Sequence, residues 1–348
     1  MEPSQYAKLK QVLSNYFTDI QYSEITQLNS KSNDNTNNNS NSNETFKVKV
    51  RKNLFILKQL NSNNEKTDNL VQDLIHVTDY LALNNFETTN LVETTVGEKF
   101  VKIENETYIL YKYIYGIIPK KFDLSNNHLK SLGIYLANVH KSLKELQYTP
   151  KKSNDTKDTK NIQILIKNQI KTLKEEINKF EEDDKELINA MIEEYDKVNK
   201  EFLENVDNNQ IIHGNSIIEN VLYDKQYNDY YLINFNNILI ENKFNDIGSL
   251  CSSFFISENT NKVLYSRKMH DKFIIGYYLT MVKNTQKVER ISKEDFMKQC
   301  VDATMLVSLQ NTLKYYIDSL KNDNKNNIEK AQNSYELFRV IHKDNYTL

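Results

Sequence analysis

The chain is poor in the residues from which most compact catalytic motifs are built. Its 348 residues include no tryptophan, six glycines, three prolines and two cysteines. The glycines form neither a Walker-type phosphate loop nor a Gly-x-Ser-x-Gly nucleophile turn. Cys251 and Cys300 lie far apart and outside any CxxC spacing. That argues against a disulfide scaffold and predicts buried free thiols in a reducing cytoplasm. Six histidines (His76, His128, His140, His213, His270, His342) show no i,i+4 pair and no cysteine partner, so a zinc site is not expected. A net charge of −2 gives no electrostatic footprint for nucleic acid or an anionic membrane. Apolar runs such as Phe273 to Val282 fall far short of the ~18 residues that suggest a membrane span, so no membrane insertion is expected. The opening MEPSQYAKLKQVLSNYF is polar and amphipathic, unlike a secretory signal.

What the chain has in abundance is Asn, Lys, Ile and Tyr, the codon imprint of an AT-rich genome. In such a genome an Asp-to-Asn change needs one base transition. The length suffices for a substantial core, in one two-lobed unit or two domains. Tyr6, Leu9, Leu13 and Phe17 predict a short amphipathic helix over 4–18. Residues 29–43, NSKSNDNTNNNSNSN, cannot bury anything and predict a disordered loop between strand candidates. After it, Phe46, Val48 and Val50 alternate, the chain turns near Lys52-Asn53, and Leu54 to Leu60 continues the meander. Leu70, Leu74, Val77 and Leu81 switch to helical spacing, and FVKIENETYILYKYIYG reads as a hairpin turning at Glu104-Asn105. Strand, strand, strand, helix, strand, strand follows from periodicity alone.

Farther on, 126–143 reads as a helix carrying His140, which is best explained as a hydrogen-bonded packing residue. A polar linker covers 150–160. Ile166, Ile170, Leu173, Ile177 and Phe180 mark one helix of the 162–203 region. A charged break at EEDDKE then separates it from a second, Ile188 to Phe202. Beyond Gly248 the chain reads as helical to its end, with Ser292 capping a helix whose first turn is acidic.

The most informative stretch is Ile211 to Gly248, IIHGNSIIENVLYDKQYNDYYLINFNNILIENKFNDIG. An apolar lead-in reaches His213-Gly214-Asn215, and Asn220 follows five residues after Asn215. Two short strands joined by a polar turn end in Asn234-Phe235-Asn236. This ordered pair resembles the signature of the aminoglycoside phosphotransferase and choline kinase superfamily, small-molecule kinases with a protein-kinase-like fold. The family pattern is His-Gly-Asp, four residues, Asn, then Ile-Asp-Phe or Ile-Asp-Trp after the strands.

The resemblance implies an α+β fold of two lobes, a small antiparallel-sheet N-lobe over 1–115 and a mostly helical C-lobe over 116–348. The C-lobe would hold a helical insertion at 162–203 and the catalytic-loop-like segment 211–248. It places the catalytic aspartate at Asn215 and a metal-binding amide at Asn220, with the principal metal-binding aspartate at Asn234 and the loop-supporting histidine at His213. Asp246 matches a mainly structural acid. Lys58 falls in the slot of the lysine that contacts nucleotide phosphates, paired with Glu65, Asp68 or Asp73. Tyr111 to Gly116, with Tyr113, would be the hinge against which a nucleotide base packs. ATP and Mg²⁺ are the implied cofactors. Kinase-like spore-coat proteins of low-GC Gram-positive bacteria are similar in length and in the hairpin, which adds the spore coat to the cytoplasm as an implied location.

Both chemistry-bearing carboxylates are amides here, and Asn236, a third acid position in many relatives, is neutral too. An amide cannot serve as a base and is a weak ligand for a hard cation. The first reading is therefore a pseudokinase with weak or absent nucleotide and metal binding and a scaffolding role. An active small-molecule kinase with a rearranged site, using Asn220 and Glu219, is a second. Asp224 and Asp229 also lie close by in sequence. A third is a structural interaction protein that binds a protein partner through helices 162–203.

Overall fold

Alternation of apolar and charged residues writes the first sheet. β2 (Thr45–Val50) buries Phe46, Val48 and Val50 and turns Lys47 and Lys49 the other way, as a strand with one packed face must. A computed structural model describes residues 1–28, 44–60, 64–119, 124–151, 162–198, 200–205, 208–226, 228–256, 263–282, 291–322 and 325–346. The Asn-rich stretch 29–43 and nearly all of the polar linker lie outside the described residues.

The chain divides into two compact units. The first comprises Met1–Tyr115, Pro150–Lys152 and Ile233–Asn236. Its antiparallel sheet runs in the order β1-β2-β3-β5-β4, with β1 (Ser23–Leu28), β3 (Asn53–Leu60), β4 (Val101–Ile103) and β5 (Glu106–Lys112). Phe46 faces Leu57, Val48 faces Phe55 and Leu57 faces Leu110 across the ladders. These side chains form one core with Leu9, Val12 and Leu13 of α1 (Pro3–Ser14). The opposite face carries Lys47, Lys49, Leu54, Ile56 and Lys58, because directly paired residues point the same way. α2 (Glu65–Leu83) begins where the Asn64 side chain accepts the Thr67 N–H at 3.0 Å, and it buries Val71, Leu74, Val77 and Leu81.

The second unit comprises Gly116–Thr149, Ser153–Leu232 and Asn237–Leu348. Two of the scarce glycines lock its α3 (Asn126–Glu145) to α8 (Arg267–Val282). A Cβ on Gly133 would stand 2.1 Å from the Phe273 carbonyl oxygen, and one on Gly276 would stand 2.2 Å from that of Lys130. Backbone meets backbone there. α4 (Ile162–Glu176), α5 (Glu182–Lys197), α7 (Phe244–Phe254) and α10 (Lys325–Tyr346) all pack on the long α9 (Lys293–Asn322). Buried hydroxyls on α9 satisfy themselves, Thr304, Ser308 and Thr312 each bonding the carbonyl four residues earlier at 2.8 Å. Ser292 caps this helix as expected, its Oγ accepting the Asp295 N–H at 3.0 Å.

Three sequence expectations need correction. The run EEDDKE is not a helix break. The break lies at a 3₁₀ turn, Ile177–Lys179, and Glu182, Asp183 and Asp184 form the first turn of α5, where acids favour the helix dipole. The second helix of that region ends at Lys197 instead of running to Phe202, with α6 (Glu201–Glu204) a separate turn. Nor is the chain wholly helical after Gly248, since Ile256 and Val263 form an isolated bridge before α8 begins at Arg267.

Candidate functional site

Two strand pairs frame the His-Gly-Asn loop. β6 (Asn209–Ile212) pairs antiparallel with β9 (Leu239–Asn242), and β7 (Val221–Asp224) forms a hairpin with β8 (Asp229–Leu232). β9 was not anticipated, because LIEN is too short and mixed to show a period. The strand has a consequence for the loop. A Cβ at Gly214 would come within 2.1 Å of the Asn237 carbonyl oxygen, and Gly214 has φ +73, so both space and backbone demand glycine.

Asp246 holds the loop. It is 1% exposed, and its carboxylate accepts the His213 N–H at 2.8 Å and the Gly214 N–H at 3.0 Å. Its backbone carbonyl accepts the Ser216 hydroxyl at 2.7 Å. His140, also buried, lies between Asp246 (3.0 Å from Nε2) and the Tyr277 hydroxyl (2.7 Å from Nδ1). A carboxylate can only accept, which puts the proton of a neutral imidazole on Nε2 and leaves Nδ1 to accept from Tyr277. Burial alone would push the Asp246 carboxyl up. The His140 hydrogen bond leads the effects that outweigh it, joined by the His213 N–H, and the carboxyl is held below its usual range. Burial drives the Tyr277 phenol well above its ordinary value. His140 is thus the hydrogen-bonded packing residue that the sequence suggested. Tyr277, its partner, carried no sequence signal.

Downstream, the His213 ring nitrogen accepts the Asn215 N–H at 3.2 Å, and Asn220 Nδ2 donates to the Asn215 carbonyl at 2.8 Å. The Asn220 amide therefore turns its NH₂ group to the loop, and its oxygen alone has metal-ligand chemistry. Asn215 is half-buried. Glu219 sits in the 3₁₀ turn Ile218–Asn220, and Asp224 serves the hairpin turn by accepting the Gln226 N–H at 2.7 Å.

In the first unit, Lys58 Nζ donates to Asn234 Oδ1 at 3.1 Å, and Asn236 Nδ2 donates to the same oxygen. Asn234 adopts φ 69, a left-handed conformation that asparagine tolerates better than most residues. Of the acids considered for Lys58, Asp68 lies 2.6 Å from Lys102, and Asp73 is fully buried and accepts the Lys151 N–H at 2.8 Å. The Tyr113 N–H extends the β3 ladder by donating to the Leu54 carbonyl at 3.2 Å. Its ring lies 4.9 Å from Lys47 Nζ and edge-on to Tyr115 at 5.1 Å. Lys47 shares a face with Lys58 through the β2–β3 register, in which Thr45 faces Lys58 and Lys47 faces Ile56.

The Mg²⁺ that the resemblance implies favours carboxylate oxygens. Positions 215, 234 and 236 supply none, and the Asn234 oxygen already receives two donors. Among the described residues no group of three or more His, Cys, Asp or Glu side chains could hold a metal ion. The donor set does not fit a resident divalent ion.

Sheet unit, helical unit and loop together define the fold of the protein-kinase-like small-molecule phosphotransferases. The chain is similar to choline kinase from Cryptosporidium parvum Iowa II, with a TM-score of 0.68 at 14% identity, covering 97% of this chain and 96% of that one. Plasmodium vivax ethanolamine kinase matches with a TM-score of 0.62 at 12% identity, over 98% of this chain and 92% of that one. An aminoglycoside phosphotransferase from Alicyclobacillus acidocaldarius matches with a TM-score of 0.58 at 13% identity, over 97% and 96%. No protein-family profile matches the sequence, and no curated protein does either. Among the described residues no helix is long and apolar enough to cross a membrane.

The 162–203 region uses its apolar stripe internally. Ile162, Ile166, Leu173, Ile188 and Met191 are buried, and α4 and α5 pack on α9.

Proposed function

We propose that this protein is a catalytically impaired relative of the small-molecule kinases, a pseudokinase that binds ligands without transferring phosphate. One observation carries the reading: the positions of the catalytic and metal-binding aspartates are Asn215 and Asn234, and the oxygen of Asn234 is engaged by Lys58 and Asn236. An acceptor hydroxyl beside Asn215 finds a hydrogen-bonding amide but no base, and positioned acid–base groups contribute about 10²–10⁴ in rate. Weak metal binding at Asn220 and Asn234 removes the charge neutralisation that phosphoryl transfer needs. Lys58 and Tyr113 remain for a nucleotide. Choline, ethanolamine and aminoglycosides, named with the structural neighbours, point to hydroxyl-bearing amines as a second ligand class. The buried thiols of Cys251 and Cys300 support a reducing compartment such as the cytoplasm.

The test is ADP release from ATP by the purified protein with Mg²⁺, with and without choline or ethanolamine. The expected rate is that of the buffer. Mg²⁺-dependent release that Lys58→Ala abolishes would overturn the reading in favour of an active kinase with a rearranged site.

A further inference from the structure

The sheet face that bears Lys58 has a charge pattern of its own. Lys47 and Lys49 on β2 stand on that face with Leu54, Ile56 and Lys58 on β3, and Glu24 and Thr26 of β1 join them by register. An open cavity of about 370 Å³ is lined by Glu24, Thr26, Lys47, Lys49 and Leu54, within the ~300–1,000 Å³ range of small-molecule sites. Three ammonium groups share the face with one carboxylate, that of Glu24, which lies 3.2 Å from Lys49 and is largely exposed. Lys47 is half-buried against the Tyr113 ring, an aromatic surface at the edge of the same face.

Lys47 and Lys49 alternate with the buried Phe46, Val48 and Val50 and so share the face of β2 that the apolar core leaves uncovered. The core lies on the other side, under α1. The sequence between β1 and β2, residues 29–43, contains no glycine. Replacing aspartate by Asn234 removes one negative charge from the end of the Lys58 strand, and the neutral Asn236 adds none. The substitutions that spoil the site for Mg²⁺ therefore also lower its repulsion toward a polyphosphate that carries its full negative charge.

Resting on the pseudokinase reading, we propose that this face binds the phosphates of a nucleoside triphosphate free of metal, with Lys47 and Lys49 supplying the neutralisation that a chelated cation would otherwise give. Lys47 exchanges its contact with the Tyr113 ring for phosphate oxygens, and Tyr113 is released to face the base. The shared chemistry is a linear triphosphate, so inorganic triphosphate is the competing source of the same groups.

Calorimetric titration of the full chain in EDTA with ATP, inorganic triphosphate and AMP tests this. ATP is expected to bind in EDTA, more weakly as salt rises, and at least ten-fold more weakly to Lys47→Gln/Lys49→Gln. Glu24→Gln should bind several-fold more tightly, a gain that no folding defect can imitate. Lys52→Gln, in the exposed β2–β3 turn, should match the wild type. Excess Mg²⁺ should weaken binding. ATP binding more tightly than triphosphate supports a nucleotide ligand, and equal affinity supports recognition of the triphosphate alone. AMP binding as well as ATP overturns the proposal. ATP binding that requires Mg²⁺ and ignores Lys47 and Lys49 overturns it and leaves a nucleotide-binding pseudokinase standing. Binding of none of the three overturns it and removes nucleotide from the proposed function, without bearing on the lost phosphotransfer.

Discussion

The loop around Asp246 and the strand end around Asn234 handle their polar partners in opposite ways. At Asp246 a buried carboxylate remains, satisfied by two backbone N–H groups and His140. At Asn234 a neutral amide bonds Lys58 and Asn236. The difference follows from what each charge does. Asp246 neutralises donors that the fold has already buried, so its loss would leave His213, Gly214 and His140 without an acceptor. At 234 the amide oxygen takes its donors from two side chains, Lys58 and Asn236, so no buried backbone group depends on a charge there.

The largest expected effect comes from attacking the retained charge. Asp246→Asn turns an NH₂ toward donors that need an acceptor and should destabilise the protein by about 3–5 kcal/mol, read from urea unfolding. Gly276→Ala strikes the anchor indirectly, because α3 carries His140 and α8 carries Tyr277. With the Lys130 carbonyl 2.2 Å from the new methyl, a loss of about 1–3 kcal/mol is expected in the same measurement.

A third experiment sharpens the contrast between buried groups. His270 is fully buried between Tyr265 and Thr304, and burial lowers its pKa from 6.5 to about 3. Folded chains keep it neutral while unfolded chains protonate below 6.5. Stability is therefore full above that pH and falls by up to about 1.4 kcal/mol per unit as pH drops toward 3. His270→Gln should flatten that slope in pH-dependent unfolding. Smallest of all is Asn234→Asp. Set beside a half-buried lysine, it should move stability by less than about 1 kcal/mol, while creating Mg²⁺ binding detectable by calorimetry. A loss comparable to that of Asp246→Asn would break the comparison.

The sequence made the sheet legible because Phe46, Val48 and Val50 alternate with lysines, and α2 legible because its apolar residues recur every three or four positions. The ordered pair of His213-Gly214-Asn215 and Asn234-Phe235-Asn236 is the sequence feature that points to the kinase-like fold. β9 stayed hidden because LIEN has no period. The charged run at Glu181–Glu186 misled because acids that start a helix resemble acids that interrupt one. The Tyr277–His140–Asp246 chain spans partners 137 and 106 residues apart, and no local pattern encodes such a meeting. Lys47 carries no sequence signal of its own, because its place beside Tyr113 depends on a contact between segments distant in the sequence.

The most direct test is restoration. Single-turnover phosphoryl transfer from γ-labelled ATP, in Mg²⁺, should be indistinguishable from buffer for the wild type and rise at least about 10²-fold in Asn215→Asp/Asn234→Asp, the lower end of what a positioned acid–base group supplies. A wild-type protein that already turns over, at a rate the double substitution leaves unchanged, would contradict the account.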